Sequence, residues 1–138
     1  MYLVGFPLLL IPLALYNIIA FLFALGFGDT VFTVPMMSGA TLGVTTGDLL
    51  IIFSILLLFV EILKATRFGV KSIVDHMLSF VVFVVALAEF LMVQKAATST
   101  FLLFLVICAI DVVGGFSISI RSATRDYNVE GGGHPMAH

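Results

Sequence analysis

The chain has 138 residues, of which 62% are hydrophobic and only 10% charged, and its mean hydropathy is +1.27. A water-soluble domain has about 25% charged residues, so this composition excludes a soluble globular protein and makes the lipid bilayer the expected first partner. The net charge of −2 offers no basic surface for nucleic acid, and the single cysteine excludes an intramolecular disulfide.

Four apolar stretches are long enough to cross a membrane as helices, because a hydrocarbon core of about 30 Å needs about 20 residues. The predicted spans are residues 3–27, 46–65, 73–94 and 99–120. The first is predicted to be a retained span rather than a secretory signal, since no basic residue precedes its long apolar run. Pro7 and Pro12 are expected to kink it or to leave its first turns irregular.

Residues 28–45 form a predicted outer loop between the first two spans. Residues 30–45 are uncharged but not hydrophobic enough for a fifth span. Two interpretations stay open: a loop lying on the bilayer surface, or a re-entrant segment that lines a cavity. Thr45 and Asp48 have the spacing of a capping box, which predicts that the second helix begins there.

The connections 66–72 and 95–98 are short enough to make consecutive spans antiparallel neighbours. We therefore predict an all-α membrane protein with one domain over residues 1–122, an antiparallel bundle of four transmembrane helices. Five of the six basic residues fall on one side, which the positive-inside rule makes cytoplasmic: Lys64, Arg67, Lys71, Arg121 and Arg125. Both termini are then cytoplasmic, residues 123–138 form a flexible tail, and a bacterial inner membrane is expected.

Asp111 is the clearest candidate for a functional site. It lies ten residues, or about 15 Å, before the inner end of the fourth span and therefore near the bilayer midplane. A charge there costs roughly 2.5–3.5 kcal/mol, so we expect the carboxyl group to be protonated much of the time. Its predicted partner is Tyr16 or Asn17 in the first span. The alternatives are a neutral side chain that holds the helices together, or a proton- or ion-binding site.

Small and polar residues accompany Asp111 on its helix. Cys108, Gly115 and Ser119 recur on its face at helical spacing and are predicted to pack against a neighbouring helix. Gly114, next to Gly115, leaves further room for a water molecule or a side chain.

Glu89 and Glu61 are the other carboxylates within the spans. Glu89 is expected to lie near the outer interface and to approach Lys95, or else to face the interior of the bundle. Residue counting separates neighbouring members of the series Glu61, Asp111 and Glu89 by about 8–10 Å in depth, beyond direct hydrogen bonding.

Glu61 lies at nearly the same predicted depth as His76 on the next helix. A Glu61–His76 pair, with Lys64 and Asp75 around it, would form a polar cluster at the inner face. It would be either an interfacial anchor or a pH-sensitive gate, because histidine titrates near neutrality.

The sequence has no motif of a hydrolase or a nucleotide-binding site, and one histidine within the spans does not hold a haem alone. We therefore expect no catalytic activity, no metal and no cofactor. The leading hypothesis is a subunit or accessory factor of a larger or self-associated membrane complex, whose partners are other membrane subunits or further copies of the chain.

Faces rich in phenylalanine support this hypothesis, since four short helices are expected to leave them partly unburied. The residues concerned are Phe80, Phe83, Phe90, Phe101 and Phe104. The alternative is a homo-oligomeric proton or ion channel, or a small proton-coupled transporter, with Asp111 as its central site.

Overall fold

The computed structural model describes the chain as mostly helical, as predicted, with one short antiparallel hairpin. The described residues are 6–23, 26–66 and 70–132, without the side chains of 70–72, 119 and 122–132. The elements in chain order are α1 (Leu10–Asn17), a π-helical segment (Ile18–Phe23), β1 (Thr30–Pro35), β2 (Thr41–Thr45), α2 (Thr46–Lys64), α3 (Val70–Met92), a 3₁₀ turn (Gln94–Ala96) and α4 (Ser99–Gly132).

Three of these helices are long and apolar enough to cross a membrane. The qualifying stretches are Thr46–Lys64, Ile73–Met92 and Ser99–Ile118, with mean hydropathies of 2.3, 2.0 and 2.5. At 1.5 Å per residue, each measures about 28–30 Å, close to the thickness of the hydrocarbon core. The apolar stretch Leu10–Phe23 is shorter, about 21 Å. The chain thus has the helix lengths and composition of a membrane protein.

The first helix begins later than the sequence predicts. The main-chain N–H of Leu10 donates to the carbonyl oxygen of Pro7 at 3.0 Å, and the regular helix starts at Leu10. Leu3, where the predicted span begins, and residues 24–25 within it lie outside the described residues.

The last helix continues beyond the predicted end of its span. Whereas the apolar run ends near Ile120, the helix extends to Gly132. The flexible tail over residues 123–138 stays a prediction, and residues 133–138 lie outside the described part of the chain.

Residues 30–45, for which the sequence predicts a loop, form a β-hairpin, which departs from the all-α prediction. Phe32 pairs with Val44, and Val34 with Leu42. The turn contains Gly39 at a φ of 93°, a left-handed conformation that favours glycine. After this turn, Leu42 and Val44 alternate with Thr41, Gly43 and Thr45, and such alternation is typical of strands.

The predicted capping box at the start of α2 is confirmed. Thr45 Oγ1 accepts a hydrogen bond from the Asp48 amide at 3.1 Å, and Asp48 Oδ2 accepts one from the Thr45 amide at 3.0 Å. The Gly47 amide donates to the carbonyl oxygen of Phe27 at 2.9 Å. The beginning of α2 is therefore fastened to the segment that precedes the hairpin.

Helix α4 is central to the core, because α2 and α3 both pack along it. Aromatic rings fill the core around the first half of α4. Tyr16 stacks on Phe27, with ring centroids 4.2 Å apart, and meets the edge of the Phe101 ring at 4.8 Å.

The expectation that five phenylalanines lie on incompletely buried faces is wrong for two of them. Phe101 and Phe104 are 0% and 1% exposed. Phe83 and Phe90 are partly buried against the same core, and Phe80 is 50% exposed. The Phe101 ring packs against those of Phe90 and Phe104, with centroids 5.9 Å apart in each pair, so the buried rings stabilise the chain itself.

Gly47 lies where α2 passes too close to its neighbours for a side chain. A Cβ atom there would collide with Thr100 Oγ1 and lie 2.9 Å from the Phe27 carbonyl oxygen. We expect Gly47→Ala to lower the free energy of unfolding by about 1–3 kcal/mol, the usual cost of overpacking. The measurement is the unfolding midpoint when SDS is titrated into the protein in a mild detergent.

Gly114→Ala is the matched control for this prediction. A Cβ atom at position 114 would meet no atom within 4 Å. Alanine also favours a helix over glycine by about 0.5–1 kcal/mol, so this variant should be neutral or more stable. An equal loss of stability in both variants would contradict the close packing at Gly47.

Candidate functional site

Five polar side chains meet in the interior near the end of α2, and we call them the buried polar cluster: Glu61, Lys64, Asp75, Ser79 and Asp111. Each is at most 6% exposed. The two members on α2 are three residues apart and the two on α3 four apart, so each pair shares one helix face. Helix α4 contributes the fifth member. Buried charges are costly unless they are paired and hydrogen-bonded, so the contacts within this cluster decide what it can do.

Lys64 is the cation of the cluster. Its Nζ lies 2.9 Å from Glu61 Oε1 and 3.0 Å from Asp75 Oδ1. It also donates a hydrogen bond of 2.6 Å to the main-chain carbonyl of Phe6. The Asp75 contact is an ion pair without hydrogen-bond geometry, so Asp75 Oδ1 has no hydrogen-bond donor among the described residues. Lys64 therefore joins α2, α3 and the segment before α1.

Glu61 fastens the same N-terminal segment. Its Oε1 accepts a hydrogen bond from the Leu8 amide at 2.9 Å, and its Oε2 lies 3.5 Å from Ser79 Oγ, which is long for a hydrogen bond. Sequence reasoning missed the contacts of Glu61 and Lys64 with the N-terminal segment. The segment contributes only main-chain atoms to them, and these leave no trace in a pattern of side chains.

Asp111 is partnered by α3 and not by the first helix. Its carboxyl group lies beside the side chain of Ser79 on α3. The predicted partners, Tyr16 and Asn17, bind groups toward the other end of the helices, so that prediction is wrong. The physical reason is that Leu8 already lies at the buried polar cluster. From there the chain rises about 12 Å over the eight residues to Tyr16, past the level of Asp111.

Ser79 also corrects the predicted separation between Glu61 and Asp111. Its hydroxyl oxygen lies 3.5 Å from Glu61 Oε2, and the Asp111 side chain lies beside it. Counting residues gives a depth along one helix, but it ignores how far neighbouring helices are offset from each other. The two carboxyl groups therefore belong to one cluster instead of successive levels of a relay.

Tyr16 and Asn17 reach polar groups at the opposite end of α3. The Tyr16 hydroxyl donates to the main-chain carbonyl of Lys95 at 2.8 Å, and Asn17 Nδ2 donates to Glu89 Oε2 at 3.4 Å. Glu89 therefore faces the first helical segment. Among the described residues Glu89 forms no ion pair with Lys95, whose ammonium group lies 4.9 Å from the centroid of the Phe21 ring.

His76 packs against α4 at the glycine pair. The side chain is buried, and its ring centroid lies 5.3 Å from that of Phe116. A Cβ atom on Gly115 would lie 3.2 Å from His76 Cε1, so the glycine provides the space that the imidazole uses. The predicted pair between Glu61 and His76 stays a prediction.

The other predicted packing residues differ in their surroundings. Cys108 is buried in the core, whereas Gly114 is half-buried, and the Ser119 side chain lies outside the described part of the structure. Within the described ranges, no group of three or more His, Cys, Asp and Glu side chains is arranged to hold a metal ion.

An open cavity of about 600 Å³ lies at the opposite end of the helices, and its charged lining residues are Asp48 and Lys95. The charged groups of both residues already have contacts within the protein. The Asp48 carboxylate closes the capping box, and the Lys95 ammonium lies over the Phe21 ring. The buried polar cluster is therefore the stronger candidate for a functional site.

Removing the Lys64 ammonium should destabilise the protein strongly. Lys64→Met leaves the carboxylates of Glu61 and Asp75 buried without their cation, and breaking a buried ion pair in this way costs about 3–5 kcal/mol. The measurement is again the unfolding midpoint in an SDS titration.

Lys95→Met is the control for this prediction, because it removes an exposed ammonium group and should cost no more than about 1 kcal/mol. Similar small losses in the two variants would contradict a central role for Lys64.

Comparisons with protein families, with characterised proteins and with solved structures found no match to this chain.

Proposed function

We propose that the protein is a non-catalytic integral membrane protein that serves as a subunit or accessory factor of a larger or self-associated membrane complex. The first helical segment and the three long helices would form an antiparallel four-span bundle. Both termini would lie on the cytoplasmic side of a bacterial inner membrane, together with the end that carries Lys64. The lengths of the three helices and the bias of basic residues toward one side support this arrangement.

The hairpin is the observation that carries this proposal. Residues directly opposite each other in an antiparallel pair share a face, so Phe32, Val34, Leu42 and Val44 form one apolar face. The first three of these side chains are 47%, 38% and 50% exposed. The rest of the described chain therefore leaves this apolar face largely open.

Lipid is an unfavourable environment for the open edges of such a hairpin. In the described part of the chain no third strand satisfies the main-chain groups at its two edges, and open sheet edges are not tolerated in the hydrocarbon region. In water, an isolated two-stranded hairpin is marginally stable at best. A protein surface that covers the apolar face removes both difficulties, and a neighbouring subunit or a second copy of the chain would supply it.

Phe32→Ser should weaken the assembly, because it removes an apolar side chain from the open hairpin face. We expect the wild-type protein in mild detergent to elute as an oligomer or with a partner, and the variant to shift toward the mass of a monomer. Size-exclusion chromatography with light scattering measures this shift.

Thr33→Ser tests the opposite face of the hairpin, where Thr33 pairs with Gly43, and should keep the wild-type mass. A wild-type protein that is strictly monomeric in mild detergent would overturn the proposed assembly.

The buried polar cluster favours a second candidate function, a homo-oligomeric proton or ion channel or a small proton-coupled transporter. Ionisable groups inside a membrane are costly and commonly mark the paths of ions or protons. Asp111 is buried beside Ser79 and is close to two further carboxyl groups, those of Glu61 and Asp75.

Asp111→Asn should abolish proton or cation flux under this second function, because an amide does not carry a charge or exchange a proton as a carboxyl group does. The measurement uses protein reconstituted in vesicles of phosphatidylcholine and phosphatidylglycerol, with a pH-sensitive or cation-sensitive dye inside. Asp29→Asn, which alters an exposed aspartate, should leave the flux unchanged. Wild-type flux no greater than that of empty vesicles would reject this candidate.

A further inference from the structure

The β-hairpin is amphipathic, because successive residues of a strand point to opposite faces of a sheet. We call one side the apolar hairpin face, which is formed by Phe32, Val34, Leu42 and Val44. On the other side Thr33 pairs with Gly43, and Pro35 with Thr41. A partner that removes apolar surface from water must therefore cover the first of these two faces.

In the described part of the chain, the hairpin stands clear of the helices except at its base. All residues of β1 are exposed, and in β2 only Val44 and Thr45 are partly buried. At the base, the Thr46 amide, at the first residue of α2, donates to the carbonyl oxygen of Asp29 at 3.1 Å. The hairpin thus begins at a fixed position beside the first turn of α2.

A second copy of the chain presents the same face at the same level. Under the proposed function, two copies cross one membrane in the same orientation, and each hairpin begins at the same end of its bundle. Two-fold dimers are the commonest oligomers, and they use the same surface patch on both subunits. A two-fold axis along the bilayer normal therefore brings two apolar hairpin faces together without a change in the depth of the helices.

Charge favours a second copy as the partner. A two-fold interface places a surface against itself, so a charged face repels its own copy. Residues 30–45 contain no charged side chain, and two such segments meet without repulsion. Selection of an unlike partner commonly uses complementary charges, which this segment does not offer.

We propose that the apolar hairpin face joins two copies of this chain, packed face to face about a two-fold axis that runs along the strands. The inference rests on the proposed function and names a second copy as the partner. The rotation places β1 of one copy opposite β2 of the other. Because Val34 and Leu42 are paired within each hairpin, Val34 lies opposite Leu42 of the second copy, and Phe32 lies opposite Val44 of the second copy.

This arrangement removes both difficulties of the isolated hairpin. The two apolar faces cover each other, and two packed layers supply the stability that one two-stranded sheet lacks. The strand edges stay in water beyond the hydrocarbon region, where water satisfies their main-chain groups.

Cross-linking between copies tests this contact. Val34→Cys and Leu42→Cys are made in separate copies with different tags, which are co-expressed and treated in the membrane with a short bismaleimide. Packed sheets lie about 10 Å apart, a gap that this reagent bridges. We expect a cross-linked dimer that carries both tags. The single native cysteine, Cys108, is 1% exposed and therefore protected from the reagent.

Thr33→Cys and Gly43→Cys are the matched control, since these residues are paired in the hairpin but lie on its opposite face. Copies with these changes should give no doubly tagged dimer. Phe32→Cys with Val44→Cys is a second pair on the apolar hairpin face and should cross-link as well. It keeps the test independent of how one variant folds.

The cross-links and the mass in mild detergent separate this inference from the proposed function. A cross-link through either pair of the apolar hairpin face, and not through the control pair, supports the contact. An oligomer, or a complex with a different protein, in which neither pair cross-links keeps the proposed function but overturns the contact. Equal cross-linking of the two faces also overturns it, since the hairpins then meet by random collision. A strictly monomeric protein overturns both.

Discussion

A single buried ammonium group is the interaction on which one end of this structure depends. Within 3.0 Å of its nitrogen lie a carboxylate of its own helix, a carboxylate of α3 and a main-chain carbonyl of the segment before α1. Charges in such an interior are tolerated only where they are paired. The position of Lys64 therefore decides where these three parts of the chain meet, and the other polar contacts at this end follow from that meeting point.

How much of the fold could be predicted from the sequence varies from one element to another. The three long helices follow from runs of about 20 apolar residues, and the start of α2 follows from the pattern of Thr45 and Asp48. The hairpin was missed, because its strands are short and the absence of charge suggested contact with lipid. Alternation over five or six residues is a weak signal beside that composition.

Predictions for the site divide in the same way. Properties that depend on one helix could be predicted, and those that depend on the relative positions of helices could not. Burial of Asp111, Glu61 and Asp75 could be anticipated, since carboxylates inside apolar helices must find partners. Which partners they find depends on the offset between helices, and this is set by packing across the bundle. Leu8 lies beside Glu61, and this contact moves Tyr16 and Asn17 away from Asp111. Counting residues along a single helix does not predict that displacement.

The anchoring of the N-terminal segment has a consequence for how the protein can vary. Glu61 and Lys64 hold an amide hydrogen of Leu8 and a carbonyl oxygen of Phe6, atoms that nearly every amino acid provides. Only proline at position 8 would remove the donor. The attachment is thus encoded in α2 and does not require a particular side chain at either anchored position. Phe6 is 42% exposed, so this position can vary without loss of the anchor, whereas the buried side chain of Leu8 is fixed by its packing.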